Sequence, residues 1–328
     1  ENFWVTIDKH YKTKECHLIY PKITRLPATI KLSGIQVHEI DFRARSIRNL
    51  RKLRSLIKSR SIRYVYLSDA PPYDAFYLLL RLWGIHKIAT HDHSPGERTR
   101  PSWFRRSAKC VMQMIPFYTA DHFIAVTEYV HKRFLEVGCI PAAKCSVAPN
   151  GIVPIDLARV DKDYAFRTFK IPHDRIIIVS TGRATYYKGV DFIIKCADEL
   201  INRRGKRNLH FLYCGDGPDI GDFKTMIEHF SLEGNFTFAG KRLDIREILP
   251  SCHIGFHASR GEVGYSLSIL ESMSAGLATI VPDNPSVSES IKDSITGLHY
   301  EQNNIKSASN AIARCLSSEA REQFARNA

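Results

Sequence analysis

The sequence predicts an α/β protein with two domains, each built around a parallel β-sheet. Short apolar or β-branched runs alternate with helical stretches through both halves of the chain, and this alternation is typical of β-α-β units. The runs are apolar on successive residues, which indicates strands buried on both faces of their sheets. The length of 328 residues suits two domains of roughly 150 residues each.

Eleven runs are predicted to be strands. In the first half they are 16–20, 37–40, 64–67, 87–90, 122–126 and 145–148. In the second half they are 175–181, 209–214, 236–239, 253–257 and 278–281. The turn Pro149-Asn150-Gly151 closes the first series. We therefore predict a first domain over 1–152, a linker over 153–170 and a second domain over 171–328.

Composition limits the class of protein. A hydrophobic content of 44% and a charged content of 25% are typical of folded globular proteins and exclude wholesale disorder. The net charge of +13 favours contact with nucleic acid, anionic lipid or phosphorylated substrates. The most apolar stretch, 75–85, contains Arg81 and is shorter than a membrane-spanning helix. Eight cysteines without a C-x-x-C pair predict reduced core residues of a cytoplasmic protein.

Residues 44–60 predict a basic amphipathic helix. Ile47, Leu50 and Leu53 recur at helical spacing, and Arg and Lys line the other face. A surface helix packed on its own sheet is the favoured interpretation. Docking of this helix on an anionic membrane is the alternative.

The stretch 259–276 joins a turn of small residues to a predicted helix that starts near Ser266. The unpaired N–H groups and partial positive charge of a helix start bind anions such as phosphate. Glu271 lies one turn after Leu267 on the same face, roughly 6 Å along the axis. That is about the distance from a diphosphate to its ribose, whose two hydroxyls a carboxylate can accept. An ordinary amphipathic helix with a solvated glutamate is the alternative.

A second cluster, 179–189, follows an apolar strand and contains Gly182, Arg183 and Lys188. Arg183 offers a planar fork of donors and Lys188 a point charge, a pair that can neutralise a diphosphate without a metal ion. Gly-Arg and Lys-Gly are common loop dipeptides, so neither one alone would predict this site.

Two further turns follow predicted strands, at the sheet edge where open α/β folds bind ligands. The first turn contains Gly215 in G-D-G-P, a sequence that is more often structural than ligand-binding. The second contains Gly240 and Lys241, and Gly240 would let a nucleotide base approach the backbone closely.

These motifs, taken in chain order, resemble the donor domain of the retaining glycosyltransferases of family 4, which have the GT-B fold. The order is G-R-x(4)-K-G at 182–189, G-D-G-P at 215–218, F-x-G at 238–240, the helix of Glu271, and Ser288-Glu289. In the first half, 149–152 resembles the interdomain turn of that family and 126–130 its strand-to-helix step. The resemblance spans residues 60–300 and implies two Rossmann-like domains facing across a cleft.

The resemblance also implies a function. A sugar would pass with retention from a UDP- or GDP-sugar donor to a hydroxyl of a glycan or lipid-linked acceptor, without a metal or other cofactor. Arg183 and Lys188 would hold the diphosphate, and Glu271 would bind the ribose. His91, in the loop 90–96, would face the donor sugar, with His93 as the fallback.

The site predicted in this way has two groups of residues. The catalytic residues are His91, Arg183, Lys188 and Glu262. The donor-binding residues are Gly182, Gly215, Gly240, Lys241, Gly264, Tyr265, Ser266, Leu267 and Glu271.

Two features depart from the family pattern. Glu262 and Glu271 have eight residues between them instead of seven, so Val263 occupies the slot of the first glutamate. Either Glu262 reaches the sugar through a local bulge, or backbone groups around Gly264 and Tyr265 take its role. The glycine-rich loop of the family is also missing, so we expect the sequence to start inside a longer protein, just past that loop.

Alternative interpretations follow from the same residues. His91, Asp92 and His93 are metal-ligand types, but alternate strand residues point to opposite faces and no third cluster is evident, so no metal is predicted. A non-catalytic nucleotide-sugar-binding relative, a nucleotide-sugar epimerase and a phosphorylase would share the architecture. A basic nucleic-acid-binding protein fits the charge, but no nucleic-acid motif is present. A peripheral contact of a cytoplasmic enzyme with anionic membrane is a further hypothesis.

Overall fold

The computed structural model describes residues 2–10, 15–24, 26–94, 96, 98–262 and 264–328. The strands are β1 (His17–Tyr20), β2 (Gln36–Glu39), β3 (Tyr64–Ser68), β4 (Lys87–Asp92), β5 (His122–Ala125), β6 (Cys145–Val147), β7 (Ile176–Thr181), β8 (Leu209–Cys214), β9 (Phe236–Gly240), β10 (Ile254–Phe256), β11 (Ala278–Pro282) and β12 (Leu298–Tyr300). The eleven predicted strands are confirmed to within two residues at either end, and β12 was not predicted.

Helices separate most of the strands. They are α1 (Asn2–His10), α2 (Ala28–Lys31), α3 (Ile47–Ser59), α4 (Ala75–Leu82), α5 (Trp103–Met114), α6 (Glu128–Glu136), α7 (Tyr164–Phe169), α8 (Val190–Asp198), α9 (Ile220–His229), α10 (Ile245–Ile248), α11 (Leu267–Ser274), α12 (Pro285–Ser288), α13 (Ile305–Arg314) and α14 (Ser318–Asn327). The predicted basic helix is confirmed as α3, and the predicted helix start near Ser266 as α11.

The chain forms two compact units. The first comprises 1–67, 71–89 and 111–121, and the second comprises 68–70, 90–110 and 122–328. The predicted linker, 153–170, contains α7, whose Phe166 is buried with Ile177 of β7. The predicted domain boundaries stay a prediction.

In the first unit, β1 and β2 pair in parallel with Leu18 opposite Val37. Leu18 packs with Ile30 and Ile35 in a small core. Helix α3 buries Leu53 and Ile57 and leaves its Arg and Lys residues exposed. The apolar stripe of α3 is thus directed into the protein at Leu53 and Ile57, whereas Ile47 at its start is 71% exposed.

In the described part of the second unit, six parallel strands form one sheet in the order β12-β11-β10-β7-β8-β9. Strands β5 and β6 pair in parallel in another sheet. Strand order in the six-stranded sheet reverses between β7 and β10, which is the topological switch point of a doubly wound fold. The loops after these two strands therefore leave the same sheet edge side by side, where such folds bind ligands.

Both faces of the six-stranded sheet are buried. Ile178 of β7 packs with Val190 and Ile194 of α8, whereas its neighbours Ile177 and Val179 pack on the opposite face. This alternation follows from the two-residue period of a strand. Helices on both faces hold the strand ends in place, so the loops after β7 and β10 start from fixed positions.

The cysteines only partly match their predicted core positions. Cys196, Cys214, Cys252 and Cys315 are buried, as predicted. Cys110 is exposed on α5, so the core prediction is wrong for this residue. Over the described residues, no helix combines the length and apolar character that crossing a bilayer requires.

Candidate active site

The loop after β7 carries Arg183 and is shaped by the turn after β8. The Tyr213 hydroxyl donates to the Arg183 carbonyl at 3.0 Å. Gly182 has φ +151°, and a Cβ on Gly215 would lie 1.7 Å from the Gly182 carbonyl oxygen. Gly215 therefore serves to let two backbones approach, and the Arg183 side chain remains exposed to solvent.

Lys188 lies next to Glu262, which is 74 residues further along the chain. Their side chains form a partly buried ion pair. Gly189 has φ +73°, and a Cβ there would lie 2.0 Å from the Ala258 carbonyl oxygen, so only glycine allows this approach. The ammonium has three donors, so Lys188 can bind a phosphate oxygen while it stays paired with Glu262.

The segment before α11 is held by side chains from other loops. The Tyr265 amide donates to Ser290 Oγ at 2.7 Å, and Asn150 Nδ2 donates to the Tyr265 carbonyl at 3.2 Å. Tyr265 has φ +58°, and a Cβ on Gly264 would lie 2.8 Å from Thr127 Cγ2. Val263, in the slot expected for the first glutamate, lies outside the described residues.

The tip of α11 has the features of an anion site. Ser266 is its N-cap but makes no side-chain capping bond, because its hydroxyl is paired with that of Ser268 at 3.0 Å. No acidic residue lies in the first turn. The amides that begin at Leu267 thus remain available to an anion, and the helix dipole favours it.

Glu271 is a partly buried carboxylate on α11. Burial raises the pKa of its carboxyl above the ordinary value, and the opposing effect of Arg246 is smaller. Arg246 itself donates to the carbonyls of Val153 and Pro154 at 2.8 and 2.7 Å. A ligand that donates two hydroxyls to Glu271 would supply hydrogen bonds that this desolvated carboxylate needs.

His91 is buried, with 6% of its surface exposed. Burial and, next, the His93 ring lower the pKa of His91 to about 4, so the imidazole is neutral at pH 7. The two ring centroids are 4.1 Å apart. His91 hydrogen-bonds the backbone of Ala148, two residues before Asn150, which contacts the segment before α11. His93 instead lies beside Asp69, whose carboxylate accepts from the His93 amide at 2.7 Å.

Gly240 ends β9 with φ +68°, and nothing lies within 4 Å of a Cβ placed there. Lys241, which follows, is exposed. The open space beside Gly240 is consistent with the predicted approach of a base to the backbone. Within the described residues, no group of three His, Cys, Asp or Glu side chains could hold a metal ion, and metal independence stays a prediction.

Asn150 and Glu289 take positions that the sequence interpretation did not give them. Asn150 was interpreted only as part of a turn, but its amide contacts Tyr265. Glu289 accepts from the amides of Glu128 and Tyr129 at 2.9 and 2.6 Å and so caps α6. The place of Glu289 in the motif order is the only sequence signal for this residue. That signal does not predict a contact with a helix 160 residues earlier.

The switch-point loops, the uncapped helix tip and the adjacent cations are the features of an anion-binding site in a doubly wound α/β protein. A family model described as "Glycosyl transferases group 1" matches residues 161–328. A second, "Glycosyltransferase Family 4", matches residues 15–154. The chain belongs to the glycosyl transferases group 1 family. The predicted GT-B fold class is thereby confirmed.

Two relatives whose names give an activity match this chain over part of their own length. The phosphatidylinositol N-acetylglucosaminyltransferase GPI3 subunit of Saccharomyces cerevisiae is 25% identical over 52% of this chain and 37% of its own. The UDP-Gal:alpha-D-GlcNAc-diphosphoundecaprenol alpha-1,3-galactosyltransferase of Escherichia coli is 26% identical over 63% of this chain and 52% of its own. The chain thus spans 37% of the length of the yeast relative and 52% of the length of the E. coli relative.

Solved structures share the fold. The crystal structure of Anabaena Alr3699/HepE in complex with UDP matches with a TM-score of 0.76 and 15% identity. The match covers 98% of this chain and 88% of that protein.

Proposed function

We propose that this chain transfers a sugar, with retention, from a UDP- or GDP-sugar to an acceptor hydroxyl in polysaccharide or glycolipid assembly. One observation carries the proposal: the loops after β7 and β10 converge, so that Lys188 and Glu262 pair a few residues before the uncapped tip of α11. The UDP bound to the Anabaena structure and the UDP-galactose named for the E. coli relative support a nucleotide-sugar donor.

The diphosphate would be held from two sides. Arg183 and Lys188 supply charge-assisted hydrogen bonds, and the amides at Ser266 and Leu267 supply the helix terminus. As the glycosidic bond breaks, negative charge grows on the departing phosphate, and these donors would stabilise that charge. No metal is needed for this stabilisation, so EDTA should leave the rate unchanged.

The remaining residues would position the nucleoside and the sugar. Glu271 would accept the ribose hydroxyls, and the open backbone at Gly240 and Lys241 would receive the base. Neutral His91 can donate or accept one hydrogen bond to the donor sugar. Glu262 would lie beside the donor sugar and would be held there by its ion pair with Lys188.

The acceptor would be a glycan or a lipid-linked molecule, and the enzyme would make a peripheral contact with anionic membrane. The names of the yeast and E. coli relatives, which include phosphatidylinositol and diphosphoundecaprenol, support a lipid-linked acceptor. Helix α3 supports the membrane contact through its exposed Arg and Lys residues, each worth about 1 kcal/mol near an anionic surface. Cytoplasmic localisation is part of the same proposal.

A non-catalytic nucleotide-sugar-binding relative is the second candidate. The observation that favours it is the Lys188–Glu262 pair itself, because a glutamate held by the diphosphate-binding lysine is less available to the sugar. This candidate predicts UDP or GDP binding without transfer, whereas the first candidate requires both.

Thermal shift with UDP, GDP, ADP, pyrophosphate and duplex DNA tests the binding site. A shift with UDP or GDP that is larger than the shift with pyrophosphate is expected, since the base and ribose add contacts. Transfer is then measured with the sugar nucleotide that binds and a lipid-linked acceptor, and NMR of the product reports its anomeric configuration. A shift with DNA alone would refute the proposal, and an inverted product would refute retention.

Glu271→Gln is expected to weaken UDP binding about tenfold and leave pyrophosphate binding unchanged, because only the ribose loses a charged acceptor. Since the folded-state pKa of Glu271 is raised, its charge destabilises the ligand-free protein above that pKa. The variant should therefore keep or raise the melting temperature at pH 7. Calorimetric titration measures both affinities, with exposed Glu228→Gln on α9 as the matched control. An equal loss for both ligands would contradict ribose binding.

A further inference from the structure

Helix α5 turns its apolar side to solvent. Trp103, Phe104, Val111 and Met114 expose 80, 68, 60 and 79% of their surface. Successive members are one, seven and three residues apart, which places all four within about 100° of each other around the helix axis, and the helix has no buried residue. Such a face is normally directed into the core, so its exposure indicates a partner that the isolated chain lacks.

The polar side of α5 faces the protein instead. Lys109 Nζ donates to the Val137 carbonyl at 2.5 Å, and both polar atoms of the Gln113 side chain are buried. Lys109 and Gln113 lie one turn apart on the side opposite Phe104 and Val111. The Lys109 bond therefore sets which side of α5 faces the protein, and rotating the helix to bury Trp103 would break that bond.

Cations border the apolar face. Arg105 and Arg106 flank it on either side and are exposed, and Arg98, also exposed, lies just before the helix. No acidic residue is present between 98 and 114. Exposed aromatic and aliphatic side chains with a basic border are the composition of helices that lie in the plane of a membrane surface. Trp in particular favours the headgroup level.

We infer that α5 inserts its apolar face into an anionic lipid bilayer. Arg98, Arg105 and Arg106 would meet the lipid phosphates while Trp103 and Met114 enter the acyl boundary. A second copy of the chain fits less well, because two such faces would bring their arginine borders together. The inference deepens the membrane contact of the proposed function, on which it rests, by naming the element that inserts. It does not depend on the donor site.

Co-sedimentation of the chain with vesicles tests the insertion. Vesicles of phosphatidylcholine with 30% phosphatidylglycerol, an amount on the order of that in anionic membranes, are compared with pure phosphatidylcholine. Trp103→Glu with Met114→Glu is expected to lower the partition coefficient for anionic vesicles at least about tenfold. The matched control pair is Leu32→Glu with Leu243→Glu, which places the same two charges on residues that are 88 and 86% exposed elsewhere and should bind like the wild type.

Tryptophan emission gives a second readout. Anionic vesicles should shift the wild-type emission to shorter wavelength, whereas Trp103→Phe should lose most of that shift and still co-sediment. Equal binding to both vesicle types, an unchanged partition of the double variant, or dimerisation that the double variant abolishes would each overturn the inference. The thermal shift that UDP causes in the Trp103→Glu, Met114→Glu variant separates the two proposals. If that shift is intact, loss of vesicle binding concerns α5 alone. A wild-type chain that binds vesicles but no nucleotide refutes only the donor site.

Discussion

Arg183→Ala is expected to lower the rate of sugar transfer about 100- to 1000-fold, the usual effect of removing one oriented donor from developing charge. Arg183 is exposed in the ligand-free chain, and its loop is held through its backbone by Tyr213. Removing the guanidinium should therefore leave the fold intact. The measurement is the initial rate of transfer at saturating donor, together with the UDP dissociation constant.

Arg207→Ala is the matched control, since Arg207 is an exposed arginine of the same unit, at the opposite end of the strands. It should keep the wild-type rate and affinity. Lys188→Ala is a less selective test, because it also leaves the carboxylate of Glu262 without its cation. Arg183→Ala protein that folds, binds UDP and transfers sugar at the rate of the Arg207→Ala control would remove Arg183 from the mechanism.

The fold was largely predictable because its strands are buried on both faces. Runs such as 176–179 are apolar on successive residues, and helical stretches separate them, which leaves a parallel sheet as the consistent arrangement. Strand β12 was missed because Leu298-His299-Tyr300 is short and has a polar middle residue. Its pairing with β11 depends on a neighbouring strand and not on its own pattern.

The candidate site was predictable where its chemistry is local. The start of α11 and the position of Glu271 follow from residues within one helical turn. The Lys188–Glu262 pair joins residues 74 positions apart, and no local pattern shows which strand ends are neighbours. Donor binding by Gly215 stays a prediction, and the close approach of Gly215 to Gly182 gives this glycine a structural role as well.

Helix α5 shows the limit of periodicity as a signal. The spacing of Trp103, Phe104 and Val111 is that of any amphipathic helix, and such a pattern does not say whether its apolar face meets a protein core or a membrane. The contact of Lys109 with the Val137 carbonyl decides this orientation, and it forms only in the folded chain.

Acidification is expected to destabilise the second unit steeply between about pH 6.5 and pH 4. Burial, the main cause in each case, lowers the pKa of His210, His253 and His257 to about 4. In the unfolded chain these groups titrate near 6.5, so the unfolded state binds more protons over this range. Stability is therefore present above the unfolded pKa and is lost as the pH falls through the folded pKa, by up to about 1.4 kcal/mol per pH unit for each group.

Urea denaturation followed by circular dichroism at several pH values from 7.5 to 4.5 measures this dependence. His210→Gln is the informative variant, because glutamine can keep a hydrogen bond to Thr237 Oγ1, which lies 2.9 Å from His210 Nε2, and has no proton to bind. His210→Gln should reduce the slope of the unfolding free energy against pH by about the contribution of one histidine. His229→Gln, at an exposed position on α9, should leave that slope unchanged. A slope that is the same in all three proteins would mean that burial does not hold His210 neutral. The acid sensitivity would then arise from other groups.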